Sequence, residues 1–246
     1  MKEIIAQNFS KGARNYDRFA IIQKRSARNL LNLISNISYT KAIDIGAGSG
    51  ELASKLKNCI GVDISPQMCK CMEEKGIKCV CADAEKLPFP DETFDLAVSN
   101  FAFQWMNIKK AMKESHRILK QNGSFALSIP IEGSLSELFS AWQKVSISLN
   151  GKEDKLFRFP SYNTVILYAK RHDFRIRYKQ IKSEKIILPS ASEALNYINK
   201  IGARNPYGFK KIRKQFYKEF CKEFFHTEDK GYPISYKVLT VILEKA

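Results

Sequence analysis

The sequence has no long hydrophobic run. No apolar stretch approaches the roughly 20 residues that cross a bilayer. The first ten residues include Lys2 and Glu3 and lack the apolar core of a secretory leader. We therefore expect a cytoplasmic protein without a membrane span. A monomer is expected as well.

Histidine is also scarce, and the six cysteines do not form a metal-binding pattern. The three histidines, His116, His172 and His226, are scattered, so no Ser/His/Asp catalytic set is expected. Five of the six cysteines lie between residues 59 and 81, and they lack the C-x-x-C spacing of most structural zinc sites. We expect reduced thiols and no metal site.

Acidic residues are few relative to basic ones, and the net charge is +16. Most of the excess lies in residues 151–246. Such a surface attracts nucleic acid, anionic membrane or an acidic protein, and charge alone does not choose among them. The basic candidates lie on a helix predicted over Phe209–Phe225, with Phe209, Phe216 and Phe220 facing the core: Lys210, Lys211, Arg213, Lys214 and Lys218.

Short apolar runs alternate with helical patterns. The runs predict strands at Ala42–Ile45, Cys59–Val62, Lys78–Ala82, Phe94–Ser99 and Ser124–Ile129. The segments between them predict helices at Glu51–Lys57, Pro66–Lys75 and Ile108–Lys120, the last ending at Asn122-Gly123. This alternation predicts a Rossmann-like α/β fold with a parallel sheet and helices on both faces.

The flanking segments complete a single predicted domain over residues 1–246. Residues 1–40 form a helical segment, with a helix over Arg18–Ile37, and residues 41–130 form the cofactor half. In the substrate half, residues 131–246, strands at Asp173–Ile181 and Ser235–Leu243 extend the sheet's edge. A helical insertion near 183–231 separates those two strands and covers the active site.

A glycine turn follows the first predicted strand. Gly46, Gly48 and Gly50 are spaced G-x-G-x-G, unlike the dinucleotide pattern G-x-G-x-x-G. A buried Asp44 carboxylate at the strand end needs a partner, such as a cofactor ammonium or a backbone amide. Asp63, 19 residues later, is placed to bind both hydroxyls of a ribose. The turn therefore indicates a nucleoside cofactor.

Polar residues also end the third and fourth strands, where Asp83 and Asn100 lie. Helix caps and turns would explain any one of these residues, but they explain the whole series poorly. Ligands bind at the carboxyl edge of open α/β sheets. The predicted cofactor residues are Asp44, Gly46, Ala47, Gly48, Gly50, Asp63, Ile64, Asp83, Ala84 and Asn100.

These segments resemble the class I S-adenosylmethionine-dependent methyltransferases, whose usual Pro-Gly-Gly is Gln121-Asn122-Gly123 here. The segments are Ile43–Gly50, Gly61–Asp63, Ala82–Phe89, Phe94-Asp95 and Arg117–Gly123. The resemblance implies S-adenosylmethionine as the cofactor and a mostly parallel seven-stranded sheet with a helical lid insertion.

A closer resemblance, to the malonyl-[acyl-carrier protein] O-methyltransferase family of biotin synthesis, spans nearly the whole chain. It rests on Phe9–Asp17, Ser99–Trp105, Gly133–Leu138, Ala141-Trp142, Ile201–Ala203 and Tyr232–Tyr236. It implies methylation of the free carboxyl of a malonyl thioester on an acidic carrier protein or coenzyme A. The basic helix would then attract the carrier protein.

Four residues are expected to act on the acceptor. By the resemblance, Tyr16 would close over the methyl group, although a packed aromatic would explain it as well. Gln104 and Trp105 would face the substrate, and Arg158 is a candidate fork for its carboxylate, with a solvated arginine as the alternative. A quinone-type small-molecule methyltransferase and an RNA methyltransferase stay open, although the chain has no Asn/Asp-Pro-Pro-Tyr motif.

Overall fold

The fold is built on one twisted sheet. The computed structural model describes residues 2–201 and 213–246. Within them, seven strands follow the order β3-β2-β1-β4-β5-β7-β6. The strands are β1 Ala42–Ile45, β2 Cys59–Asp63, β3 Cys79–Cys81, β4 Phe94–Asn100, β5 Leu119–Ile131, β6 Phe174–Leu188 and β7 Tyr232–Lys245. The predicted Rossmann-like architecture is confirmed.

Strands β1 to β5 are parallel, and β7 and β6 close one edge in antiparallel pairing. Every residue of β1 is buried, as expected for a strand covered on both faces. Asp44 of β1 is in register with Gly61 of β2 and Val98 of β4. The residues that follow these three strands therefore meet at one edge.

Helices cover both faces of the sheet. They are α1 Lys2–Phe19, α2 Ile21–Ile34, α3 Pro66–Glu74, α4 Ile108–Ile118, α5 Ser136–Asn150, α6 Tyr162–Arg171, α7 Ala191–Lys200 and α8 Lys214–Phe224. Polar side chains begin several of them: the Ser65 hydroxyl accepts from Met68 N at 3.2 Å, and the Asn107 Oδ1 from Lys110 N at 3.2 Å. None of the described helices is long and apolar enough to cross a membrane.

Two local predictions were wrong. The segment after the glycine turn holds only a short 3₁₀ helix, Ala53–Lys55, and not an α-helix over Glu51–Lys57. Asn122-Gly123 does not end α4, because that helix stops at Ile118 and β5 begins at once. Asn122 instead takes a left-handed conformation, φ +61°, inside β5, where the pairing with β4 shifts register.

The flanking segments also differ from prediction. The N-terminal part is two helices that meet at Ala20, and α6 was not predicted. Strand β6 continues to Leu188 and β7 begins at Tyr232, so the segment between them begins at residue 189 and not near 183. The β6–β7 ladder pairs Leu188 with Tyr232, which moves the start of the segment and leaves its end at 231.

The insertion packs against α5 above the carboxyl edge of the parallel strands. The Trp142 ring of α5 lies 4.7 Å from the Phe216 ring and 5.6 Å from the Phe220 ring, measured between centroids. The prediction that Phe216 and Phe220 face the core is therefore confirmed. Phe209, Lys210 and Lys211 lie outside the described residues, as do Gly202 and Ala203 of the family motif.

Candidate functional site

The glycine turn exposes backbone at the carboxyl edge of the sheet. Gly46 N and Ala47 N both donate to Val62 O, at 2.8 and 2.9 Å, which folds the turn over β2. Gly46 has φ +73°, and a Cβ there would lie 2.3 Å from the Ala102 Cβ. Gly50, with φ +87°, lies behind the turn against Met72. A side chain at either position would force this backbone to move.

Asp44 is the buried carboxylate of the turn, with 2% of its surface exposed. Its Oδ2 accepts one hydrogen bond, from Ala53 N at 3.2 Å. Burial raises the pKa of Asp44 to about 7, and the nearby Asp63 charge adds to this effect. A bound cation would restore the ionised form, so Asp44 fits a ligand that carries an ammonium group.

Asp63 is oriented by backbone amides at the end of β2. Its Oδ2 accepts from Gly48 N and its Oδ1 from Ser65 N, each at 2.9 Å. Burial raises its pKa, and these two amides oppose the rise. Each oxygen keeps a lone pair, so the carboxylate can accept two hydroxyl groups of a ribose.

Asp83 and its neighbour Ala84 follow β3 and line a cavity that we call the cofactor cavity. Its Oδ2 accepts from Lys2 Nζ at 2.6 Å, and its Oδ1 from Glu85 N at 2.9 Å. Lys2 also pairs with Glu85 at 2.7 Å, so the start of α1 is tied across the cavity. Burial alone would raise the pKa of Asp83, but the Lys2 hydrogen bond keeps it below its usual value.

Asn100 is the last residue of β4. Its Nδ2 donates to Gln23 O at 3.0 Å, while its Oδ1 is buried without a partner among the described residues. The Gln23 Oε1 is likewise buried and unpartnered there. Both residues line the glycine-turn pocket together with Asp44, Ala47 and Lys24. This pocket offers acceptors for an ammonium and one lysine for a carboxylate, which are the two ends of an amino acid.

The cofactor cavity has a volume of about 700 Å³. Its apolar lining suits an adenine ring, and Asp63, Asp83 and Glu85 supply its acidic groups. The residues present therefore fit S-adenosylmethionine. The lining residues are Lys2, Ile5, Phe9, Tyr16, Gly46, Gly48, Val62, Asp63, Ile64, Met68, Ala82, Asp83, Ala84, Glu85, Asn100, Phe101, Ala102, Trp105 and Met106.

A second cavity, of about 890 Å³, adjoins the first. We call it the apolar cavity. The two cavities share Phe9, Tyr16, Phe101 and Trp105. As far as the described residues show, no charged side chain lines the apolar cavity. Its lining is Phe9, Tyr16, Gln23, Phe101, Gln104, Trp105, Leu135, Leu138, Phe139, Trp142, Phe157, Phe159, Leu195, Ile198, Asn199, Ile201 and Tyr236.

Three of the four residues predicted to act on the acceptor line the apolar cavity. Tyr16 of α1 also lines the cofactor cavity and the glycine-turn pocket. Gln104 donates from Nε2 to Phe101 O at 2.6 Å, which fixes its amide. The Trp105 ring lies 5.7 Å from the Phe9 ring and 4.4 Å from the Phe157 ring. The place where the cavities meet is thus walled by aromatic rings.

Arg158 is the exception. It is exposed and lines a shallow depression beside the apolar cavity, and the two share Phe139, Phe157 and Phe159. The structure does not bring it together with Tyr16 and Gln104. Its role toward the acceptor stays a prediction.

The sequence reasoning gave no site role to Lys2, Phe9, Gln23 or Tyr236, although Phe9 and Tyr236 lie in segments that carry the family resemblance. A signal existed for part of this set, because Ile5, Phe9 and Tyr16 lie on one face of α1 at helical spacing. Nothing in the local sequence indicated that this face would cover the cofactor cavity.

Comparison with known proteins identifies the family that this chain resembles. Residues 43–127 match the model of the methyltransferase domain family. The chain is 30% identical to the malonyl-[acyl-carrier protein] O-methyltransferase of Pectobacterium atrosepticum, over 97% of this chain and 94% of that protein. It is also 30% identical to the protein of that name from Geobacter sulfurreducens, over 80% and 79%.

A solved structure shares the fold. It is a Thermotoga maritima protein described as an SAM-dependent methyltransferase, possible histamine N-methyltransferase. It superposes with a TM-score of 0.58 at 18% identity and covers 98% of this chain and 99% of its own. Identity this low supports the fold alone.

Proposed function

This chain belongs to the malonyl-[acyl-carrier protein] O-methyltransferase family, and on that premise we propose that it methylates the free carboxyl of a malonyl thioester. It is an S-adenosylmethionine-dependent O-methyltransferase. The product is the malonyl methyl ester that primes pimeloyl synthesis for biotin. We propose a monomer in the cytoplasm, where its six free cysteines would stay reduced.

The cofactor supplies a methyl group on a positively charged sulfonium. Asp63 would hold the ribose, and Asp83 with Ala84 would face the adenine. Asp44, Gln23 and Asn100 would accept from the ammonium, and Lys24 would meet the carboxylate. The cofactor cavity and the glycine-turn pocket share Tyr16, Gly46, Gly48 and Asn100 in their linings.

Among the described residues, the lining of the apolar cavity carries no charge, and this observation supports the proposal most. An acceptor carboxylate in this cavity finds no cationic side chain among the described lining residues. Its counter-charge would be the cofactor itself. Both charges disappear on methyl transfer, and a medium of low dielectric favours a reaction that removes charge.

No general base is required, because a carboxylate is already ionised near neutral pH. Tyr16 agrees with this, since burial raises its pKa well above the usual value and keeps the phenol neutral. The Tyr16 hydroxyl can donate a hydrogen bond that orients the acceptor. Aromatic walls from Phe9, Trp105 and Phe157 would exclude water.

The basic part of the insertion suits an acidic carrier protein. Arg213, Lys214 and Lys218 are exposed at the start of α8, while Phe216 and Phe220 anchor that helix to the core. Exposed charges of this kind raise association rates more than they raise final affinity. We propose that the malonyl group arrives on such a carrier, with coenzyme A as the alternative thioester.

One experiment separates the candidate acceptors. The protein is incubated with S-adenosylmethionine labelled in its methyl group and with malonyl-carrier protein, a quinone precursor or bulk RNA. We expect label as a base-labile ester on the malonyl-carrier protein. Transfer to the quinone precursor or RNA, with none to the malonyl-carrier protein, would refute the proposal.

A further inference from the structure

The apolar cavity has much more apolar wall than a malonyl group can cover. Of the seventeen described residues that line it, fourteen are aliphatic or aromatic. A malonyl group contributes one methylene between its two carbonyl carbons. Most of the remaining wall consists of aliphatic and aromatic side chains of α5, α7 and residues 157–159, with one amide, Asn199 of α7, among them.

Two polar residues of the lining lie where the apolar cavity meets the cofactor site. Tyr16 is shared with the cofactor cavity, and Gln23 with the glycine-turn pocket. The wall beyond them is formed by Leu138, Trp142 and Ile198, among others. A ligand that matches this arrangement has one carboxylate at the cofactor side and a hydrocarbon chain behind it.

We infer that carboxylic acids with an unbranched hydrocarbon chain are a second class of acceptor for this enzyme. A carboxylate oxygen forms the new O–CH3 bond while the S–CH3 bond of the sulfonium breaks, and that electron pair stays on sulfur. No proton is released and no other reactant is needed. The inference rests on the proposed function only for the methyl donor.

The expected effect of chain length follows from burial. Each methylene moved from water into an apolar wall contributes about 0.8 kcal/mol, which is about fourfold in affinity. Affinity should therefore rise about fourfold per carbon from butanoate upward and level off when the chain fills the cavity. Polar acceptors of equal length, such as hydroxylated acids, should gain much less.

Binding can be measured without any turnover. The chain has two tryptophans, Trp105 and Trp142, and both line the apolar cavity. Titration of the protein with butanoate, hexanoate, octanoate and decanoate should quench their fluorescence with Kd values that fall about fourfold per carbon. Equal Kd values across the series, or no fluorescence change, would overturn the inference.

A pair of matched variants tests where the hydrocarbon chain of the ligand binds. Ile198→Asn places an amide in the wall of the apolar cavity, while Ile147→Asn makes the same change at a residue that is 48% exposed on α5. We expect Ile198→Asn to flatten the dependence on chain length and Ile147→Asn to preserve it. The reverse pattern, or identical behaviour of both variants, would contradict the placement.

Turnover distinguishes this inference from the proposed function. Wild-type protein is assayed for methyl esters of the same acids and, in parallel, for methylation of malonyl-carrier protein. Esters of the longer acids support the second acceptor class. Methylation of malonyl-carrier protein alone overturns it and leaves the proposed function standing, whereas esters of the acids alone support it and overturn the proposed function.

Discussion

Cofactor affinity should depend on pH through Asp44. Burial raises the pKa of this carboxyl to about 7 in the protein without ligand. Only the ionised form can pair with the cofactor ammonium. At about pH 6 roughly one tenth of the molecules are ionised there, against about nine tenths at about pH 8, so the apparent Kd should be about tenfold weaker at the lower pH.

Isothermal titration calorimetry measures this dependence directly. Asp44→Asn keeps the shape of the side chain and removes the titration, so its Kd should be weak and nearly constant between those pH values. The same raised pKa implies that the native protein without cofactor holds a proton between about pH 4 and 7 that the unfolded chain releases. Its free energy of unfolding should therefore fall as pH rises through that window. A wild-type Kd independent of pH would refute the reasoning.

Four further perturbations test other parts of the site. Asp63→Ala should weaken cofactor binding at least about tenfold in calorimetry, since it removes a charged acceptor. Lys218→Ala should leave that Kd unchanged and should raise the KM for malonyl-carrier protein more at low salt than at high salt. Lys2→Ala frees α1 from Asp83, and stopped-flow should show faster cofactor dissociation with less than about 1 kcal/mol lost in urea unfolding, because the pair is partly exposed. Phe220→Ala should cost about 3–5 kcal/mol in the same unfolding experiment, since Phe220 is 1% exposed. Gln23→Glu should raise the acceptor KM without weakening cofactor binding, because it places a negative charge near the acceptor carboxylate. An unchanged KM would contradict the role of the uncharged wall, and Gln7→Glu, on the exposed side of α1, is the matched control.

The cofactor side of the site could be predicted because its geometry is local. Gly46, Asp63, Asp83 and Asn100 follow consecutive strands of a parallel sheet, and parallel strands bring their carboxyl ends to one edge. Once the strands are recognised, their spatial convergence follows without further information. The buried strand β1 and its register with β2 and β4 confirm that convergence.

Other features depend on long-range packing. The helix predicted after the glycine turn is a 3₁₀ helix, and Ala53 N donates to the Asp44 carboxylate at 3.2 Å. Asn122-Gly123 resembles a helix end, yet pairing with β4 draws it into β5. In both cases tertiary contacts outweigh a local preference.

The acceptor side could be predicted only in part. Tyr16 was found through resemblance, and Gln104 and Trp105 through their place after the fourth strand. The structure brings all three to the apolar cavity. Lys2 and Gln23 come from helices whose position over the sheet is set by packing with distant segments. Arg158 was chosen for its charge, but the structure gives it an exposed place outside that cavity.

Mass spectrometry of the acceptor tests the central claim most directly. Malonyl-carrier protein and acetyl-carrier protein, which lacks the free carboxyl, are each incubated with enzyme and S-adenosylmethionine and then weighed intact. The account predicts the gain of a single methyl ester on the malonyl form, reversed by mild base, and no change in the acetyl form. An unchanged malonyl-carrier protein, or equal methylation of both forms, would contradict it.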